Sequence, residues 1–349
     1  EVATHGTAAR ELDPIDVATW HRVAEAAVVQ GDVPETVAAY QAILELNPGD
    51  AVAHERLGVL WTLSDPAGAL PHLEAAGTPL ATDVAVALLD AADWTPGRRL
   101  TLVGQVSVRH QEWHLAQVVL AEALEHPPIQ PEAEALLGRA WEEAGRPEEA
   151  RPHLEAAVEL APGSSLAQSL LGLHLLEQGE PGAARSHLET AYDLDPLNPA
   201  FSLYLAHLYG DLGRYDAAFI WLDEAVRLAP EDVDILESVV RFYLSHGLTA
   251  EEQGLEAAET LVEAAPESPT AHEALGRVHH RRGNLEEAEE HLLRAAPLGP
   301  EQAAIYYHLG ELYLDQDRPI TARRALMHAF DLATDPGLRG QIEEKLGEY

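Results

Sequence analysis

The chain lacks several features that whole classes of protein need. It has no cysteine, which excludes disulfides, thiolate metal sites, iron–sulfur clusters and a cysteine nucleophile. Its 22 Lys and Arg stand against 59 Asp and Glu, and the formal net charge is −37 at pH 7. Because binding to phosphate groups needs Lys and Arg side chains, this charge argues against nucleic acid or an anionic membrane surface as the partner. No run reaches about 18 apolar residues, so we expect no direct membrane insertion.

Motifs of catalysis are missing too. The sequence has no G-x-x-x-x-G-K-[ST] loop, no G-x-G-x-x-G after a strand and no G-x-S-x-G. The His-Glu-x-x-His pattern of zinc proteases starts at His54 and at His272, but Gly58 and Gly276 occupy the position of the second histidine. The sequence therefore predicts no enzyme, with no catalytic residue, no metal site and no cofactor.

What the chain does contain is a repeat of about 34 residues. Proline and glycine recur in step along most of its length. The recurring residues are Pro128, Pro162, Pro196, Pro230, Pro266 and Pro300, with Gly145, Gly179, Gly213, Gly247 and Gly283. Such a fixed period indicates one structural element copied along the chain.

Each repeat reads as a pair of helices. Apolar residues within it are spaced by three, four and seven, which predicts two amphipathic helices. The glycine supplies the turn between the helices, and the proline ends the second one. No such pair can bury its apolar stripe alone, so neighbouring repeats must stack to form a core. Four histidines share one place in their repeats, which favours helix packing over metal binding or pH sensing: His72, His153, His187 and His291.

This pattern resembles the tetratricopeptide repeat. The resemblance implies an all-α fold, a right-handed superhelical α-solenoid of about nine helix-turn-helix repeats, with one helical insert and a C-terminal capping helix. We expect a flexible leader at 1–16, the solenoid at 17–336 with an irregular helical insert at 77–96, and the capping helix at 337–349. The nine repeats are 17–50, 51–76, 97–130, 131–164, 165–198, 199–232, 233–268, 269–302 and 303–336.

The repeat is imperfect in a few places. Residues 78–96 fall outside it, and Thr82 or Asp83 is expected to cap a short helix there. Gln111 and Asp317 stand where other repeats have the turn glycine, so we expect turns at both. The second repeat is one residue short at its turn, and the seventh is two residues longer than the others.

In proteins with this repeat the first helices line a concave groove, and the resemblance implies that partners bind there. Two groups at lining places stand out from an acidic background. The apolar group is a candidate pocket for an apolar side chain or a partner helix, unless the chain itself covers it: Leu166, Leu173, Leu176 and Leu203. The basic group suits carboxylate recognition, unless it pairs locally with Asp234, Glu237 and Glu273: Arg241, Arg277, His280 and Arg281, with Tyr307 beside them.

The resemblance implies a non-catalytic scaffold or adaptor that binds a protein segment or peptide in this groove. Given the charge, we expect a basic or neutral partner rather than an acidic one. The alternative is a structural subunit of a larger envelope or extracellular assembly, or a self-associating chain, which packs through its convex face, its ends or the 77–96 insert. The chain begins at Glu1 rather than at Met, as expected of a processed chain. That favours the envelope or the extracellular space, with the cytoplasm as the open alternative.

Overall fold

The computed structural model of the protein describes residues 16–248 and 252–347. The leader expected at 1–16 therefore lies outside the described residues, apart from Asp16, and so do the last two residues of the expected capping segment. The described part contains α-helices and no β-strand. The helices are α1 (Val17–Gln30), α2 (Val33–Leu46), α3 (Ala51–Trp61), α4 (Pro66–Ala76), α5 (Pro79–Asp90), α6 (Pro96–Arg109), α7 (Trp113–Leu124), α8 (Pro131–Glu143), α9 (Pro147–Leu160), α10 (Ser165–Glu177), α11 (Pro181–Leu194), α12 (Pro199–Asp211), α13 (Tyr215–Leu228), α14 (Val233–Ser245), α15 (Glu252–Ala264), α16 (Pro269–Arg282), α17 (Leu285–Leu298), α18 (Ala303–Asp315), α19 (Pro319–Leu332) and α20 (Pro336–Gly347).

In the part of the chain that the structure describes, consecutive helices pair into nine hairpins, each made of a first and a second helix. The helix α5 stands alone between the second and third hairpins, and α20 follows the ninth. The chain divides into two compact halves, with the boundary in the sequence between Leu194 and Asp195. The first half holds α1–α11 and the second half holds α12–α20. These features confirm the predicted all-α fold of stacked helix-turn-helix repeats, with its helical insert and C-terminal helix.

The turn inside a hairpin normally contains a residue in the left-handed region. Glycine supplies it in most hairpins, for example Gly179 with φ of 75° and Gly283 with φ of 81°. In two of the three hairpins with no turn glycine, Gln111 (φ 60°) and Asp317 (φ 56°) adopt the same conformation. The turns predicted at these two residues are thereby confirmed, at a cost of about 1 kcal/mol each for a residue with a Cβ atom. The third is the shortened α3–α4 hairpin, whose turn between Trp61 and Pro66 has no residue of positive φ.

The insert helix α5 begins earlier than the sequence suggested. Its cap is Thr78, whose hydroxyl accepts a hydrogen bond from the backbone N–H of Ala81 at 3.2 Å. The prediction that Thr82 or Asp83 caps this helix is wrong. Pro79 fits the first helical position, so the helix begins about one turn nearer to the N-terminus than predicted. Its inner face is buried and contains Leu80, Ala81, Val84, Ala87 and Leu88.

Within a hairpin the two helices approach closely at a glycine. A Cβ atom built on Gly172 of α10 would lie 2.7 Å from Cδ2 of Leu188 on α11, which is closer than carbon atoms can pack. The same glycine-to-leucine contact recurs at Gly138 with Leu154, and at Gly276 with Leu292. Because the leucine fills the space that the glycine leaves, both helices bury their apolar stripes.

Each half has its own buried clusters. In the first half the largest joins α3 to α8 and includes the insert helix α5. In the second half the largest runs from α12 to α16. The C-terminal helix α20 buries Ile342 against Leu326, Ala329 and Ala333 of the last hairpin and its end. Among the helices that the structure describes, none has the length and apolar character to cross a membrane.

The glycine-to-leucine contact can be tested with two matched substitutions. Gly172→Ala should lower the free energy of unfolding by about 1–3 kcal/mol, because the added methyl group displaces the buried Leu188. Gly182→Ala on α11 should leave it unchanged or raise it slightly, because nothing lies within 4 Å of the added atom. Urea unfolding followed by circular dichroism measures both. Equal effects of the two changes would contradict the close contact.

Candidate partner-binding surface

The basic group predicted from the sequence lies on three consecutive first helices of the second half. These are α14, α16 and α18, and α16 packs against both of the others. Arg241 lies on α14, whereas Arg277, His280 and Arg281 lie on α16, and Tyr307 lies on α18. The stacking of hairpins therefore decides which of these side chains can act together.

A cavity of about 140 Å³ lies between α14 and α16. Arg241 and Arg277 both line it, so the structure brings two of the predicted arginines to one site. Glu237 and Glu273 line it as well, and Leu261 of α15 contributes apolar surface. The cavity thus combines an apolar wall with charged groups of both signs.

The arginines of this group differ in their pairing. Arg277 Nη1 donates to Oε1 of Glu273 at 3.4 Å, one turn away on the same helix. Arg241 and Arg281 are exposed, and neither forms an ion pair within residues 16–248 and 252–347. The local pairing considered from the sequence therefore applies to Arg277, while Arg241 remains open to a carboxylate from outside.

His280 does not line the cavity, and its side chain is paired with a carboxylate of α18. Its Nε2 lies 2.8 Å from Oδ2 of Asp315 on α18, and its side chain is largely buried. The prediction that His280 belongs to the partner-binding basic group is therefore corrected: it forms a tie between α16 and α18. The sequence alone did not suggest this pair, since the two residues are 35 positions apart.

Tyr307 also serves the structure rather than the surface. Its side chain is 9% exposed and packs with Leu326, Ala329 and Ile342, so the C-terminal part of the chain covers it. Its hydroxyl donates to Oε1 of Glu311 at 3.1 Å. Burial, followed by the charge of Glu311, raises the pKa of Tyr307 to about 12. The sequence analysis placed Tyr307 beside the arginines because of its position in the repeat. It did not anticipate that the C-terminal part of the chain covers this side chain.

A buried ionic network joins α16 to α18, and the sequence analysis missed it. His308 Nε2 lies 3.1 Å from Oε1 of Glu273, and His308 Nδ1 lies 3.3 Å from Oε2 of Glu311. Both ring nitrogens face carboxylates, a geometry that favours a hydrogen on each nitrogen and therefore the cationic form of the ring. The sequence signal was the spacing of His308 and Glu311, three residues apart on one helix.

The pKa values of this network move in opposite directions. Burial acts to lower the pKa of His308, but its hydrogen bonds to Glu273 and Glu311 outweigh burial and raise it. Burial acts to raise the pKa of Glu273, but His308 and Arg277 outweigh it and lower the pKa. The pKa of Glu311 is lowered in the same way by His308 and Tyr307. The network is thus most stable when the imidazole is protonated and both carboxylates are ionised.

The apolar group divides between the two halves. Leu166, Leu173 and Leu176 lie on α10 in the first half and are partly exposed. Leu203 lies on α12 in the second half and is only 6% exposed, within the largest buried cluster there. The prediction that Leu203 is an exposed lining residue is therefore wrong, because Ala206, Ile235 and other core side chains share its cluster.

Acidic residues accompany the exposed leucines of α10. Glu177 stands one turn after Leu173. Burial, and then the negative charge of Glu142, raises the pKa of Glu177. Glu142 Oε2 in turn lies 2.6 Å from Nδ1 of His174, which is buried. This surface of the first half is apolar and acidic. No group of three or more histidine and carboxylate residues could hold a metal ion within the described part of the chain.

The network around His308 gives a pH dependence with a definite sign. Because the folded-state pKa of His308 is raised, its contribution to stability is present below about pH 6.5 and is lost as the pH rises through the raised value. His308→Gln should therefore lower the melting temperature by about 3 °C or more at pH 6, and by much less at pH 9. Thermal unfolding between these pH values measures the difference.

The matched control is His126→Gln, the same chemical change at an exposed histidine of the first half. It should change the melting temperature little at any pH. A difference between His308→Gln and the parent protein that stays constant from pH 6 to pH 9 would contradict the charged state assigned to His308.

Solved structures of similar architecture share the fold with this chain at low sequence identity. Yeast Tom70 has a TM-score of 0.56 and 14% identity, covering 99% of this chain and 91% of its own. Human IFIT1, solved as a dimer with PPP-AAAA, has a TM-score of 0.57 and 16% identity, covering 99% and 84%. A tetratricopeptide repeat protein from Parabacteroides merdae has a TM-score of 0.55 and 16% identity, covering 72% and 99%. Identities this low support the fold alone.

The sequence itself matches a family. No curated protein matches it closely enough to count as a relative. A sequence model described as tetratricopeptide repeat matches residues 104–165, 169–233 and 252–303, and a second model with the same description matches residues 303–336. Together these segments cover more than half of the chain, and they coincide with the hairpins that the structure shows. The chain belongs to the tetratricopeptide repeat family.

Proposed function

We propose that the chain is a non-catalytic scaffold that binds a segment of a partner protein on the exposed face of its first helices. The observation that carries the proposal is the cavity between α14 and α16, where the exposed Arg241 forms no ion pair with any residue that the structure describes and lies beside the apolar surface of Leu244, Leu261 and Ala274. An arginine in this state binds a carboxylate strongly, since its planar donors match the two oxygens. Membership in a family of protein-interaction repeats supports the same role.

The charges of the protein favour a partner that is basic or neutral as a whole. The net charge of −37 attracts such a partner over long range and repels an acidic one. In the first half, the partly exposed Leu173 and Leu176 lie beside Glu177, a combination that suits an amphipathic segment with basic residues. Arg241 then takes a single carboxylate of the partner, either a side chain or the C-terminus. The attraction should weaken as salt screens the charges.

The first experiment is affinity capture from the native organism with cross-linking and mass spectrometry, at low and moderate salt. We expect cross-links from a distinct protein to the first helices, in larger amounts at low salt. Cross-links mainly between copies of this chain, or from its second helices and α5 to a large complex, would instead indicate a structural subunit. The exposed Val86 and Leu89 of α5 are the positions to watch in that case.

Arg241→Glu tests the cavity between α14 and α16. It should weaken binding of the captured partner by about tenfold or more, because a carboxylate would then meet a like charge. The matched control is Arg323→Glu, which makes the same charge change at an exposed position on the second helix α19. Calorimetric titration measures both affinities. Equal losses in the two variants would show that only net charge matters and would remove the cavity from the proposal.

The leucines of α10 give an independent test. Changing Leu173 and Leu176 together to Glu should abolish partner binding and leave the helical circular dichroism intact, because both side chains are already partly exposed. Leu194→Glu on the second helix α11 is the control, since that leucine is 44% exposed. Unchanged affinity of the double variant would exclude α10 from the binding surface.

A further inference from the structure

Two places of the repeat face each other across each hairpin. In four hairpins the side chain at the fourth position of the repeat, on the first helix, contacts a histidine at the twenty-third position, on the second helix. In the shortened second repeat this histidine stands at the equivalent position. The pairs are His54 with His72 at 2.9 Å between Nδ1 atoms, Glu134 with His153 at 2.7 Å, Gln168 with His187 at 2.7 Å, and His272 with His291 at 3.2 Å between Nδ1 atoms. An imidazole ring therefore normally fills this space.

Other hairpins fill the same space with a different large side chain. The first, sixth and ninth repeats carry Trp20, Trp221 and Tyr306 at one of the two places. In the third repeat Leu100 and Val119 occupy the two places, and both are buried. A bulky group at this point thus belongs to the packing of the hairpin.

The seventh repeat departs from this rule. Its fourth place is Leu236, and its twenty-third place is Ala257 once its two extra residues are counted. Both residues line a cavity of about 280 Å³ between α13, α14 and α15. The cavity thus occupies the space that a ring fills in most other hairpins. Its size is close to that of pockets that bind small ligands.

The lining of this cavity is apolar with acidic residues at its edge. Val226 of α13 and Val239 and Tyr243 of α14 form part of its wall. Asp223 of α13 and Glu256 of α15 line it too, and both are exposed. Burial, and then the negative charge of Glu256, raises the pKa of Asp223.

One basic residue, Arg227, also lines the cavity, but it forms an ion pair with Glu224. Arg227 Nη2 donates to Oε1 of Glu224 at 2.6 Å, and Arg227 Nε donates to Oε2 of Glu224 at 2.7 Å. Arg227 is thus already paired with Glu224, whereas neither Asp223 nor Glu256 forms an ion pair with a basic residue in the described part of the chain. The shape and charge of the cavity are therefore complementary to a flat cation on an apolar side chain.

We infer that this cavity binds the arginine side chain of a partner protein, whose guanidinium takes the place of the missing ring. The planar guanidinium has the flat shape of the imidazole that other hairpins place there, and it donates to two carboxylates at once. Its methylene groups lie along Val226 and Val239. Lysine fits less well because its ammonium is compact and strongly hydrated. The site shares α14 and α15 with the cavity between α14 and α16, but no residue lines both cavities, so the inference does not depend on that one.

The test follows methyl groups of Leu, Val and Ile by NMR in the full chain while a probe is added. The probe is N-acetyl-arginine amide, and the control probe is N-acetyl-citrulline amide, which has nearly the same shape and no charge. We expect saturable shifts of the methyl resonances of Leu222, Val226, Leu236 and Val239 with the arginine probe. Binding of the citrulline probe should be about tenfold weaker.

Three variants separate the site from general charge effects. Ala257→His supplies the ring from within and should abolish the shifts. Asp223→Asn with Glu256→Gln should weaken binding about tenfold, whereas Glu259→Gln with Glu263→Gln removes the same charge elsewhere on α15 and should not. Arg241→Glu should leave the titration unchanged, so that failure of this site and failure of the α14–α16 cavity remain distinguishable.

Several outcomes would overturn the assignment. They are the absence of shifts at these methyl groups, equal binding of the two probes, and retention of binding in Ala257→His. Equal weakening by the two carboxylate pairs would do the same, because the attraction would then come from net charge alone. Since the carboxylates are exposed and the charge variants keep the core intact, a folding defect of Ala257→His would leave the other comparisons decisive.

Discussion

The close contact between a glycine of the first helix and a leucine of the second is the interaction on which the rest of the molecule depends. At Gly172 and Leu188 no atom could be added to the glycine without displacing the leucine. This contact fixes the distance between the two helices of a hairpin, and that distance decides whether the alanines beside it can be fully buried. Because a hairpin completes its core only against the next one, spacing within a pair and stacking between pairs are linked.

The same spacing creates the surface on the first helices. In the second half it sets α14 beside α16 and α16 beside α18, so that side chains 35 positions apart meet, as His280 and Asp315 do. Some of these meetings use up charge, as in the network around His308. Other charged side chains form no ion pair with the residues that the structure describes, and Arg241 is one of them. A binding surface on such a scaffold therefore consists of side chains that are not used in contacts between hairpins.

The sequence predicted the hairpins well, because their signals are local. The spacing of apolar residues, the turn glycines and even the substitutes Gln111 and Asp317 act within about 34 residues. The fate of individual groove residues was less predictable. Leu203 and Tyr307 stand at lining places of the repeat, yet one belongs to the core and the other is covered by the end of the chain. The start of α5 at Pro79 was also missed, although Thr78 and Pro79 carry a local start signal within the segment 78–96: Thr82 and Asp83 were chosen as caps instead. Which neighbour covers a given place is a tertiary property, and no local pattern reports it.

The void in the seventh repeat also has a mechanical side. In a stack where each hairpin touches only its neighbours, resistance to stretching is set by the weakest member rather than by the sum. Missing contacts around a cavity lower the cohesion of the α14–α15 hairpin. This hairpin is an interior one within the second half, with α12 and α13 before it and α16 to α20 after it. Under a pulling force along the second half, the α14–α15 hairpin would thus open first, although it lies inside the stack. A ligand that fills the cavity would make this hairpin more resistant to stretching.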